Sequence, residues 1–184
     1  MKFSFHFQKT LQAASVILNS DRGKRISYLR LLKLLYIADR EMLVAAGFPI
    51  SGDRICAMKN GPVLSRTYDI IKGENSQAGE WEKFIRRDGY QVELIGEPGR
   101  GQLSRGEIAK LNEVVERHHG VDDWDLVEQT HALAEWKKNF REGTSTTIAW
   151  EDVLEAQGKA ELKSGIAKDA EAMHFLDNLF EDRR

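Results

Sequence analysis

The run from Tyr28 to Ala46 constrains this chain more than any other segment. Leu31, Leu35, Ala38 and Met42 recur at helical spacing and form one stripe, and Leu32, Tyr36 and Leu43 widen it. An apolar face that broad cannot be satisfied by a single neighbour, so the segment is expected to be a central helix with other elements around it. Ser27 is placed to act as its N-cap, and Gly47 is placed just past its end, where a left-handed residue closes a helix at no steric cost to glycine.

The flanking sequence supplies the neighbours. Phe7, Leu11, Ala14 and Leu18 predict an amphipathic helix from Phe5 to about Asn19. After Pro49, the segment Ile50 to Met58 is short and partly alternating, which predicts an extended stretch returning across the core. Lys59-Asn60-Gly61-Pro62 then predicts a turn, with Pro62 at the first position of a helix from Val63 to Lys72 that Gly73 ends. Glu74 to Gly79 reads as polar and flexible. Phe84-Ile85 and Tyr90 to Ile95 flank Arg87-Asp88-Gly89, and Asp-Gly is a strong local signal for a β-hairpin.

Farther on, Ser104 with Glu107 predicts a capping box, opening a helix to about His118 with Ile108, Leu111, Val114 and Val115 buried. A shorter helix starts near Asp122 or Asp123 and carries Trp124, Leu126 and Val127 toward Thr130-His131. Thr144 to Thr147 reads as a loop and cap before a helix from Ala149 to Ala156. A last periodic segment runs from about Gly165 to Phe180 through Ala170, Met173 and Leu176. The expected fold is mainly α with a small β component: a single compact helical domain over residues 1–184, carrying a short extended segment and a β-hairpin.

Composition narrows function by exclusion. The chain has 41% hydrophobic and 30% charged residues and a formal net charge of −2, with no overall bias toward phosphate backbones or anionic membranes. Cys56 is the only cysteine, so no intramolecular disulfide is possible, and it reads as a small core residue; a reducing cytoplasm is the expected compartment. The N-terminal stretch lacks a signal-peptide core, and no apolar run reaches the roughly 20 residues of a spanning helix.

Chemistry-bearing patterns are sparse. His118 and His119 beside Asp122 and Asp123 suggest a metal site, but adjacent helical residues point about 100° apart and do not share an ion readily. His131 has no serine or cysteine in a nucleophile pattern to serve, and Gly99-Arg100-Gly101 is too short for a phosphate loop. No catalytic residue, cofactor or metal is therefore expected, and the chain reads as a non-enzyme. Arg22, Lys24, Arg25, Arg30 and Lys33 cluster around the start of the long helix, which keeps a DNA-binding regulator open as the alternative.

The most specific signature is a series of ordered blocks: Lys33-Leu34-Leu35-Tyr36-Ile37-Ala38-Asp39-Arg40, then Gly47 to Asp53, then Ala57-Met58-Lys59-Asn60-Gly61-Pro62-Val63 with Tyr68. Later come Trp124, Leu126, Thr130-His131, Trp136, Ile148 and Glu151 to Leu154. In this order and spacing the chain resembles the Panacea domain, the SocA-like antitoxin family, over nearly its whole length. It departs at Leu32, where an asparagine is expected, and at Leu64-Ser65-Arg66, where the family tends to vary.

The resemblance implies a bacterial antitoxin that binds a cognate protein toxin encoded beside it. Some members resemble adaptors that deliver the toxin to an AAA+ protease of the ClpXP type. The candidate partner-binding set is Tyr36, Asp39, Asp53, Lys59, Asn60, Gly61, Pro62 and His131. Among these, Asp53, Lys59 and Asn60 are expected at a surface bend between the Gly47 and Gly61-Pro62 turns. Trp81, Trp124, Trp136, Trp150 and Tyr36 could belong to core or interface.

Overall fold

A computed structural model describes the backbone of residues 1–181 and the side chains of residues 1–175. The expected apolar roles of Leu176 and Phe180, and the charged end Asp182-Arg183-Arg184, lie outside the described residues. Helix α1 spans Phe7–Asn19, strand β1 Arg25–Ser27, and helix α2 Tyr28–Ala46. Strands β2 (Ile55–Met58) and β3 (Gly61–Leu64) precede helices α3 (Ser65–Lys72) and α4 (Ala78–Glu82). Strands β4 (Ile85–Asp88) and β5 (Gln91–Leu94) lead to helices α5 (Arg105–Arg117), α6 (Asp123–His131) and α7 (Ala134–Asn139). Strand β6 (Thr146–Ile148), helix α8 (Trp150–Ala156), a 3-10 turn at Ala160–Leu162 and helix α9 (Lys163–Glu181) complete the order.

The fold is mainly α with two small antiparallel sheets, in strand orders β1-β5-β4 and β3-β2-β6. Helix α2 is the axis. Its residues from Leu31 to Asp39 are all buried, and it packs against α1, α5, α6 and the β3 strand. The Ser27 hydroxyl accepts the Arg30 N–H at 3.0 Å, and Gly47 closes the helix at φ 82°. At the start of α5 the capping box between Ser104 and Glu107 is fully formed. One cluster of buried apolar side chains connects Leu11 to Ile166 through this axis. No helix among the described residues is long and apolar enough to cross a membrane.

Several local expectations need correction. Gly61-Pro62-Val63-Leu64 forms strand β3, and the helix begins only at Ser65, so Pro62 does not open a helix. Pro62 pairs opposite Ala57 on an edge strand, where a missing N–H removes no ladder bond on the outer side. Thr146 and Thr147, expected within a loop, join Ile148 in strand β6 and pair with β2, and Arg25–Ser27 pairs with β5, so each sheet gains a third strand. Strands this short carry too few residues for alternation to be legible. The β4–β5 turn is Gly89-Tyr90, one residue later than Asp88-Gly89 suggested. The segment expected to be polar and flexible instead runs into α4, which seats Trp81 in the core at 2% exposure.

Candidate functional site

The ordered sequence blocks converge in space, and the convergence begins on α2. Lys33 is fully buried, and its ammonium group has no carboxylate partner among the described residues. Nζ donates to the Pro62 carbonyl at 2.7 Å. Burial in apolar surroundings pulls its pKa down from 10.5 to about 7. One turn farther along α2, the Tyr36 hydroxyl donates to Glu135 Oε1 at 2.8 Å, and Arg40 Nε donates to the same oxygen at 2.6 Å. This joins α2 to the first turn of α7. The other Glu135 oxygen, Oε2, has no hydrogen-bond partner among the described residues.

Asp39 and Asp53 brace the segment between α2 and β2. Asp39 accepts the Ser51 N–H at 3.0 Å and the Ser51 hydroxyl. Burial nevertheless dominates and raises its carboxyl to about 7, with Asp53 nearby pushing the same way. Asp53 accepts the N–H groups of Arg54 at 2.6 Å, Arg66 at 3.1 Å and Thr67 at 2.8 Å, and the Thr67 hydroxyl at 2.8 Å. It thereby satisfies the first turn of α3, whose own preceding residue, Leu64, has no capping group. Burial still moves the Asp53 pKa above the usual value.

These contacts correct the surface-bend expectation. Asp53 is 0% exposed, Tyr36 0% and Asp39 1%, and Gly61 and Pro62 are buried as well. Of the candidate set, Lys59 and Asn60 are exposed and His131 is partly so. The rest form the frame behind them. Lys59 and Asn60 are the two residues of the β2–β3 turn, with Met58 and Gly61 paired on either side.

That turn is held by bonds to its backbone. Trp136 Nε1 donates to the Met58 carbonyl at 3.0 Å. His131 Nε2 lies 3.1 Å from the Lys59 carbonyl; a carbonyl only accepts, so this nitrogen carries the hydrogen. Lys33 holds the Pro62 carbonyl from beneath. Gly61, at φ 91°, packs so tightly that a Cβ there would stand 2.5 Å from Thr130 Oγ1 and 2.9 Å from Lys33 Nζ. His131, Trp136 and Phe140 stack in a column, with ring centroids 4.2 and 4.6 Å apart and planes within 17°. The side chains of Lys59 and Asn60 themselves make no hydrogen bond among the described residues.

Sequence reasoning missed Lys33, Glu135 and Trp136 as parts of this frame. Lys33 had a signal, being a lone cation among Leu31, Leu32, Leu34 and Leu35. The basic residues before it, Arg22 to Arg30, mask that signal. That group is mostly engaged internally. Arg30 donates to the carbonyls of Val121 at 2.7 Å and His118 at 2.6 Å, and pairs with Asp123. Lys24 pairs with Glu97, and Arg25 with Asp88. Arg22 alone of the five has no such contact among the described residues. There is likewise no group of three or more His, Cys, Asp or Glu able to hold a metal among the described residues. Cys56 is buried, as expected.

The fold and site define a helical protein that displays a two-residue turn on a frame anchored to backbone carbonyls. The family described as Antitoxin SocA-like, Panacea domain, matches residues 31–137, more than half of the chain and the whole span from Lys33 to Trp136. This chain belongs to that family. No curated protein and no solved structure matches it.

Proposed function

We propose that this chain is an antitoxin that neutralises a cognate protein toxin by direct binding, acting in the cytoplasm and not by catalysis. The observation that carries this reading is the family membership, joined to the site. The residue blocks that carry the likeness bond to one another and to the backbone of residues 58–62, and leave Lys59 and Asn60 outward. Lys59, Asn60 and His131 touch the toxin, whereas Tyr36, Asp39, Asp53, Gly61 and Pro62 hold the frame. A prepaid, ordered turn lowers the entropy lost on binding, which favours a rigid display site. Passing the bound toxin to an AAA+ protease of the ClpXP type is the finer step that the family likeness suggests.

The test is co-expression with the small open reading frame beside it in the genome, scored by growth and by co-purification. Rescue of growth with a stable complex is expected. A neighbour that is harmless alone and never co-purifies overturns the reading. In the complex, Lys59→Glu with Asn60→Asp is expected to weaken toxin affinity at least tenfold while leaving the melting temperature of the free protein unchanged. Toxin half-life with and without the protease separates occlusion from delivery.

A further inference from the structure

A row of three tyrosines crosses the surface where the start of α2, helix α3 and the β4–β5 turn meet. Tyr28 opens α2, and its N–H donates to the Tyr90 carbonyl at 2.9 Å, which ties the turn to the helix. The Tyr28 ring stacks on Tyr90, with centroids 6.0 Å apart and planes 26° apart, and leans on Tyr68 of α3 at 6.2 Å. Two cations lie over the row. The Arg87 guanidinium is 5.4 Å from the Tyr28 centroid, and the Lys72 ammonium is 5.3 Å from that of Tyr68. Tyr28 and Tyr68 are half-buried, whereas Tyr90 is 77% exposed and presents its outer ring face to solvent.

Charge identifies what fits. Elsewhere on the same sheet the exposed cations face carboxylates, Arg25 with Asp88 and Arg86 with Glu93, and Lys72 pairs with Glu74 at 2.7 Å. Arg87 makes no ion pair among the described residues. Its Nε donates to the Gly89 carbonyl at 2.8 Å, which leaves the two terminal nitrogens unbonded. Arg87 also stands close enough to Lys72 for the two positive charges to oppose each other. The three tyrosine hydroxyls have no hydrogen-bond partner among the described residues. Burial, with the Tyr68 hydroxyl second, holds the Tyr28 pKa above its usual 10, so this hydroxyl keeps its proton to donate. An unpaired guanidinium fork beside free phenol donors and a second cation fits a single carboxylate. An extended phosphate backbone fits poorly, because Asp69 beside Tyr68, Glu74, and Asp88 beside Arg87 repel it and the chain as a whole carries −2. Tyrosine and arginine are also among the side chains that dominate binding energy at protein interfaces. We infer that Arg87 and the Tyr28-Tyr68-Tyr90 row form a docking surface for the partner protein, in which Arg87 forks a partner aspartate or glutamate and the residue beside it lies on the outer face of Tyr90. This inference rests on the antitoxin reading and adds a second contact to the Lys59-Asn60 turn.

The experiment measures the affinity of the full chain for the product of the neighbouring reading frame, with Arg87→Glu and Tyr90→Ala as variants, both at exposed positions. Arg87→Gln repeats the measurement without introducing a new charge, and melting temperature reports the fold of each free variant. The expected result is binding weaker by about tenfold or more in each variant, with the melting temperature unchanged. One Asp→Arg or Glu→Arg substitution in the toxin is expected to restore binding to Arg87→Glu and to weaken binding to the unaltered chain. A complex whose affinity none of the variants changes overturns the docking surface and leaves the antitoxin reading standing, as does a loss that no toxin substitution restores. An Arg87→Glu variant that binds toxin normally but no longer retains a single-stranded oligonucleotide assigns the row to nucleic acid and overturns it. A free dimer that Arg87→Glu dissociates, with toxin affinity intact, assigns the row to a second copy and overturns it too. Absence of any complex overturns the antitoxin reading and this inference together.

Discussion

Lys33 and Asp39 sit on one helix and titrate in opposite directions for the same reason, because a buried charge is costly in either sign. The folded-state pKa of Lys33, about 7, lies below its ordinary 10.5. Its contribution to stability is fully present above 10.5 and is lost as the pH falls through 7. Asp39, raised from 3.8 to about 7, contributes stability that is fully present below 3.8 and lost as the pH rises through 7. These two groups together give a stability minimum near pH 7. Chemical denaturation from pH 4 to 10 is expected to show that Lys33→Met removes the rising alkaline limb, a slope of at most about 1.4 kcal/mol per pH unit. Asp39→Asn is expected to remove the falling acid limb in the same measurement. Tyr36→Phe leaves Glu135 buried with one donor fewer and is expected to cost about 1–3 kcal/mol of unfolding free energy. At this scale the sequence is a poor guide, since lysine and aspartate on a helix ordinarily mean water. Only the apolar residues on every side of Lys33 contradict that reading.

The element that matters most is the β2–β3 hairpin, and its outline was only half legible. The turn at Lys59-Asn60 followed from Asn-Gly-Pro, but proline suggested a helix start because nothing local reveals that an edge strand will accept it. The glycine beside it has two separate reasons to be there: a left-handed backbone, and two side-chain atoms where a Cβ would go. Gly61→Ala is therefore expected to destabilise the protein by at least about 2 kcal/mol in thermal or urea unfolding. Helix α3 is capped from a distance by Asp53, in the irregular segment before β2, across the fold's own chain reversal. No sequence rule for caps looks twelve residues upstream, which is why Asp53 read as a surface residue. Asp53→Ala is expected to cost about 2 kcal/mol and to speed amide exchange in the first turn of α3 before the rest of the molecule.

For the whole molecule, the class of fold was legible because α2 carries its apolar pattern around most of its circumference, and the capped helices α2 and α5 declare their own ends. The missing parts were the third strand of each sheet and the short helices α4 and α7. Each of these is fixed by what it packs against and not by its own sequence. The site was legible as a set of blocks and illegible as a surface, because burial depends on partners distant in the chain, such as Glu135 for Tyr36. What the hairpin implies at this scale concerns inheritance. The bonds that secure it reach carbonyl oxygens at positions 58, 59 and 62, groups that every amino acid possesses. The identities at positions 59 and 60 are therefore free to drift while the scaffold stays constant. On the reading proposed above, a lineage follows a changing partner by rewriting two letters, and a saturation library scored for folding, not for binding, is expected to tolerate nearly any polar residue there inside a frame that tolerates almost none.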